Sequence, residues 1–155
     1  MEAVRVDGIE QLRELIGREL GPTDWVEITQ DDIDKFADVS RDHQWIHTDP
    51  GRAAKESPYG TTVAHGNLTL SLVDFFRTQL IQNRGVRMGI NYGFNKVRFP
   101  AAVPSGTRVR GRAEVLSVEE LGEGWWHVVT KLTVEGEGQE KPVCVAESVG
   151  RALVA

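Results

Sequence analysis

Asp42 and His47 stand five residues apart in the run Phe36-Ala-Asp-Val-Ser-Arg-Asp-His-Gln-Trp-Ile-His-Thr-Asp-Pro50, and their types could do chemistry together. A carboxylate and an imidazole brought to one point hold a water and move its proton near neutral pH. On an α-helix five residues turn through about 500°, which leaves two side chains about 140° apart, so a loop must bring this pair together. Each residue also has an ordinary role open to it: an aspartate turning a loop by bonding its own backbone, a histidine bonded to a carbonyl. His43 and His47 are spaced i, i+4, as zinc ligands can be. His43 has no adjacent Glu, however, and no nearby Cys completes a ligand set, so no metal site is expected.

A second group, Ala64-His65-Gly66, precedes the most apolar stretch of the chain. A glycine there lets the chain turn into a helix. The bare N–H at a helix N-terminus can also face a carbonyl oxygen that gains negative charge, where the helix dipole favours it. His65 reads as a capping or packing residue at the same point.

The elements that must position these groups follow from periodicity. Ile9, Leu12, Leu15, Ile16 and Leu20 recur at helical spacing, with Asp7 as N-cap and Gly21-Pro22 as the stop. Trp25–Ile28 reads as a short strand, and Thr29 with Asp32 as the cap of a helix that ends near Ser40. From Arg41 to Tyr59 the turn residues predict a long surface loop with at most one short helix. Gly66–Phe76 is apolar on almost every side and predicts a helix enclosed by protein. After Gly85 the pattern turns to strands: Val86–Phe94, Lys96–Phe99, Thr107–Val118, Trp125–Glu135 and Val143–Leu153. The two-residue alternation in the third and fourth of these fits an antiparallel sheet with one face buried. The fold class is therefore α+β, a curled antiparallel sheet wrapped round a central apolar helix, in one domain spanning 1–155 with no repeat or linker.

A chain of 155 residues suffices for one core, and a net charge of −5 with scattered basic residues argues against nucleic acid or anionic lipid as the main partner. The single Cys144 excludes an intramolecular disulfide. No segment has the length of a signal peptide's apolar core or of a membrane span, so a soluble cytoplasmic protein is expected. Trp125-Trp126 before His127 reads as a packing pair, since no basic groove accompanies it.

Three segments in order, Ser40-Arg-Asp-His-Gln-Trp-Ile-His-Thr-Asp-Pro50, Tyr59-Gly-Thr-Thr-Val-Ala-His-Gly66 and Asn95-Lys-Val-Arg-Phe-Pro100 followed by Val103-Pro-Ser-Gly106, resemble the MaoC-like, or R-specific enoyl-CoA hydratase, family. Arg41, His43 and Gln44 replace the glycine, asparagine and proline of the family's commonest loop, while the interval from Asp42 to His47 is kept. The resemblance implies a single hot-dog fold, pairing of two subunits in a homodimer, and reversible hydration of a trans-2-enoyl thioester to the R-3-hydroxyacyl thioester. It implies that Asp42 and His47 are catalytic and that the Gly66 N–H meets the thioester oxygen, beside Ala64 and His65. Phe99 would line the substrate channel, and Arg98 would orient the loop or meet a phosphate of coenzyme A. Asn91 and Gly93 are candidates for the same channel by position, Gly93 also reading as a bulge. The ligand would be an acyl-CoA or acyl-carrier thioester, with no separate cofactor because coenzyme A is part of the substrate. Three other readings share this pattern: a hot-dog acyl-CoA thioesterase, a non-catalytic thioester-binding subunit of a heteromeric dehydratase, and a nodulation-type protein.

Overall fold

The computed structural model describes residues 2–154. The chain runs β1 (Val4–Val6), α1 (Gly8–Arg13), β2 (Glu19–Leu20), β3 (Val26–Glu27), α2 (Gln30–Ser40), α3 (Trp45–Thr48), α4 (Pro50–Glu56), α5 (Gly66–Ser71) and α6 (Val73–Leu80). It continues through β4 (Ile81–Asn83), β5 (Val86–Arg98), β6 (Arg108–Gly122), β7 (Trp125–Gly136) and β8 (Cys144–Val154). The main sheet has the order β2-β6-β7-β8-β5, with β3 also on β6, and every pairing in it is antiparallel. A short parallel pair, β1 with β4, lies outside it.

Alternation along the long strands does what the sequence pattern predicts. Ala113 and Val115 of β6, Leu132 and Val134 of β7, and Cys144 and Ala146 of β8 are buried on one face. Phe76 and Leu80 of α6 close the core over them. Phe76 lies directly on Gly111 of β6, where a Cβ would stand 2.5 Å from its Cβ and Cγ. A glycine at that point sets how closely helix and strand approach. The hot-dog architecture expected from the sequence is the one found.

Three local expectations differ. The first helix stops at Arg13, because Gly17 at φ +83° turns the chain and Leu20 enters the core from strand β2. Asp7 occupies the N-cap position without a side-chain cap bond. The 41–59 region holds two short helices, since Asp49 accepts the Arg52 N–H and Pro50 takes the first helical position, turning an apparent breaker into a helix start. The central helix is divided at Leu72 into α5 and α6, and Phe75 on it is 47% exposed, so the isolated chain leaves one side of it open. Among the described residues no helix is long and apolar enough to cross a membrane.

Candidate active site

Helix α2 begins in a capping box, with Thr29 Oγ1 accepting the Asp32 N–H and the Asp32 carboxylate accepting the Thr29 N–H. It ends at Ser40, and Arg41 takes the left-handed conformation, φ 66°, which reverses the chain immediately before Asp42. Asp42 itself is exposed, and its Oδ1 accepts the Gln44 N–H at 3.3 Å. His47 lies in the short helix α3 and is buried. The loop thus brings together two groups that a continuous helix would have kept apart.

Two carbonyl contacts fix the imidazoles. His47 Nδ1 is 2.7 Å from the Val63 carbonyl oxygen, which can only accept, so Nδ1 carries the proton and Nε2 is left as an acceptor in the neutral ring. His65 Nε2 donates in the same way to the Asp42 backbone carbonyl at 2.9 Å. The two rings are stacked, centroids 3.8 Å apart and planes 22° from parallel, with Phe36 against the other ring, His65, at 4.9 Å. Burial pushes the His47 pKa below its usual value, partly offset by its bond to Val63, with the His65 ring lowering it further and Asp42 raising it. His65 Nδ1 is buried without a hydrogen-bond partner among the described residues.

The segment carrying these contacts is pinned from both sides. Val63 N–H donates to Ile46, Ala64 N–H to Val103 and Ser105 N–H to Thr62, so 62–64 runs extended between the Asp42 loop and 103–105. Gln30 Nε2 donates to the His47 carbonyl and is itself held through Oε1 by Thr62 Oγ1. Gln30, Thr62 and Val63 carry no signal in the sequence, because their contacts with His47 and with each other join segments distant along the chain.

Polar atoms of Asp42, His47 and His65 all lie within 4.8 Å of one another. One water with ordinary hydrogen bonds spans such a gap. The same three residues could also hold a metal ion, each imidazole keeping one nitrogen bonded to a carbonyl as metal-bound histidines do. His43, the other histidine of the loop, is turned to Asp38 at 3.0 Å and does not join the group.

Gly66 is the first residue of α5, so its N–H has no acceptor within the helix. A Cβ there would stand 3.0 Å from the ring of Phe99, which is itself 44% exposed. The structure therefore puts Ala64, His65, Gly66 and Phe99 beside the Asp42–His47 loop. Arg98 is exposed, with Nη1 bonded to the Val97 carbonyl. Gly93 sits at an irregularity in the pairing of β5 with β8, as a bulge would. Asn91 lies elsewhere, on a cavity between α6 and the sheet.

An antiparallel sheet closed over a central helix, with an acid and an imidazole presented by a loop at the helix start, defines a hot-dog domain with an acid–imidazole site. The chain belongs to the MaoC-like domain family, whose model matches residues 11–137. It is 49% identical over 145 residues to 3-hydroxyacyl-thioester dehydratase Z of Mycobacterium tuberculosis, covering 94% of this chain and 95% of that protein. Nodulation protein N of Rhizobium leguminosarum bv. viciae is 43% identical over 132 residues, 84% of this chain and 82% of the relative. Among solved structures, an archaeal protein described as a monoamine oxidase regulatory protein from Archaeoglobus fulgius superposes with a TM-score of 0.79 at 25% identity, covering 100% of this chain and 99% of the other. An unliganded R-hydratase of Pseudomonas aeruginosa shares the fold, with a TM-score of 0.68 at 24% identity over 90% of this chain and 83% of that one.

Proposed function

We propose that the protein interconverts trans-2-enoyl and (R)-3-hydroxyacyl thioesters by adding or removing water. The observation that carries this reading is the neutral His47, whose Nε2 is free to accept while Nδ1–H is tied to Val63, standing with the Asp42 carboxylate around a gap of one water. In the hydration direction the water oxygen bonds to the β-carbon, its proton passes to His47 Nε2, and the electron pair of the double bond moves to the thioester oxygen. The Gly66 N–H stabilises that oxygen, a contribution of about 3 kcal/mol for one oxyanion donor. The α-carbon then takes a proton from the acid–imidazole pair, so one proton leaves water and one reaches carbon, with no redox change and no cofactor. Support also comes from the 49% identity to a relative named as a 3-hydroxyacyl-thioester dehydratase.

The reading includes a homodimer. β5 is the edge of the sheet, and on or beside it Met88, Ile90, Tyr92, Phe94 and Phe99 are all large, apolar and exposed. Such an edge invites pairing with a second copy.

The kinetic test follows crotonyl-CoA and longer enoyl-CoA hydration by the wild type, Asp42→Asn and His47→Gln. Wild-type turnover with losses of about 100-fold or more in both variants, each still folded, is the expected result. An inactive wild type across chain lengths, or variants at wild-type rates, refutes the mechanism. Release of free thiol in place of hydration identifies a thioesterase.

A further inference from the structure

His47 sits in a four-residue helix, α3, with few bonds of its own: the His47 N–H donates to the Gln44 carbonyl and the Asp49 N–H to the Trp45 carbonyl. A helix that short does not hold its shape unaided, and its last carbonyls need partners from elsewhere. The His47 carbonyl finds its partner in Gln30 Nε2, at 2.8 Å. Gln30 opens α2 immediately after the Thr29 cap, so the capping box fixes the point from which its side chain reaches out. The second amide proton goes to Asp34 Oδ1 at 2.9 Å, and Oε1 accepts the hydroxyl of Thr62, which is 1% exposed.

One rigid planar amide therefore joins the backbone of His47 to the residue just before Val63, whose carbonyl takes the His47 Nδ1–H. The two segments also share a backbone bond, from the Val63 N–H to the Ile46 carbonyl at 3.0 Å. A single bond of that kind is a hinge about which α3 can turn, carrying the imidazole off the Val63 carbonyl. The bridge through Gln30 adds a second attachment and removes that freedom. A carboxylate in its place has no proton for the His47 carbonyl, and an apolar side chain leaves that carbonyl and the Thr62 hydroxyl unpaired.

We infer that Gln30, acting through Thr62, is the positioning residue of His47: it keeps the ring's Nδ1–H on the Val63 carbonyl and so keeps Nε2 the acceptor for water. This rests on the hydration reading above. Without the bridge the ring turns and takes the other tautomer as well, in which Nε2 carries the proton and accepts nothing. Gln30 touches no substrate, so its loss falls on kcat rather than KM. The test takes Gln30→Met, Thr62→Val, their double variant and Thr62→Ser through enoyl-CoA hydration and imidazole nitrogen NMR. His47 signals are identified among those of the chain's four histidines by their absence from His47→Gln. The wild type should carry the His47 proton on Nδ1. Gln30→Met and Thr62→Val should each lower kcat about tenfold or more, with KM within about threefold, and show a mixture of His47 tautomers. The double variant should fall no more than about threefold below the worse single one, because both substitutions break the same bridge. Thr62→Ser keeps the hydroxyl and should recover most of what Thr62→Val loses. Valine matches the shape of threonine, so the Thr62 pair decides the matter if Gln30→Met does not fold. A wild-type His47 protonated on Nε2, folded variants with the wild-type tautomer and kcat, or single losses that multiply in the double variant overturn the inference. A tautomer mixture confined to the bridge variants, in a protein that hydrates no enoyl-CoA, sinks the catalytic reading alone.

Discussion

Replacing His65 by Phe separates what this ring does for stability from what it does for Asp42. The substitution keeps an aromatic ring to stack on His47 and to meet Phe36, while removing the Nε2–H bond to the Asp42 carbonyl, whose loss costs about 1 kcal/mol. It also removes Nδ1, a buried acceptor without a partner, whose burial costs about 1–3 kcal/mol. The two changes oppose each other, and the variant should be between as stable as the wild type and about 2 kcal/mol more stable. Activity should not follow stability. The other bonds that restrain Asp42, from its N–H to Ser40 Oγ and from Gln44 N–H to its carboxylate, are both 3.3 Å, so the 2.9 Å contact from His65 is the shortest tie on this residue. Freed of it, the carboxylate drifts, and a misplacement on the order of 1 Å costs about 100-fold in rate. His65→Gln supplies an amide N–H near the position of Nε2 and should recover a large part of kcat. The measurements are enoyl-CoA hydration kinetics and urea unfolding on the same preparations. A Phe variant with kcat within about threefold of wild type, or a Gln variant as impaired as Phe while both are fully folded, refutes the reasoning.

Because burial holds the His47 pKa below its usual 6.5, hydration kcat/KM should stay level as pH falls to that value and decline only below it, and a pH–rate profile checks this. The unfolded chain binds that proton more readily, so His47's contribution to stability is complete above 6.5 and is lost as pH falls from there through the folded value, read by urea unfolding at stepped pH. Gly111→Ala places a methyl 2.5 Å from Phe76 Cβ and Cγ and should lower unfolding free energy by about 1–3 kcal/mol, measured by the same denaturation. Sedimentation equilibrium should give twice the 17.2 kDa chain mass, and Tyr92→Glu on the exposed edge should shift it toward the monomer; a wild-type monomer removes the dimer reading.

Strand patterning was the most legible part of the sequence. Alternation in Val109–Val115 and Trp126–Val134 reports a two-residue period that only a half-buried strand produces, and β6 and β7 follow it. The capping box at Thr29 was likewise visible because both partners lie within one turn. Helical periodicity misled at Leu20, whose spacing from Ile16 fits a helix but whose burial comes from pairing beside Ala113. Asp49-Pro50 misled in the opposite direction, since the same two residues that end helices also start them. Asp42, His47 and His65 were identifiable as residues, but the stacking of His65 on His47 was not, because that contact depends on where 62–64 is pinned between Ile46 and Val103.

The interruption at Leu72 has a consequence for how such proteins diversify. α5 is anchored at its start by the Ala64 bond to Val103 and the His65 bond to Asp42, whereas α6 is anchored by Phe76 seated on Gly111. The two half-helices therefore answer to different supports. Substitutions at Asp74 or Arg77 can reshape the cavity that α6 lines without transmitting a shift to the Gly66 amide, so selection can vary one half of the helix while the other stays fixed. A protein engineer gains the same freedom: libraries confined to α6 vary that cavity and leave the anchored start of α5 as it is.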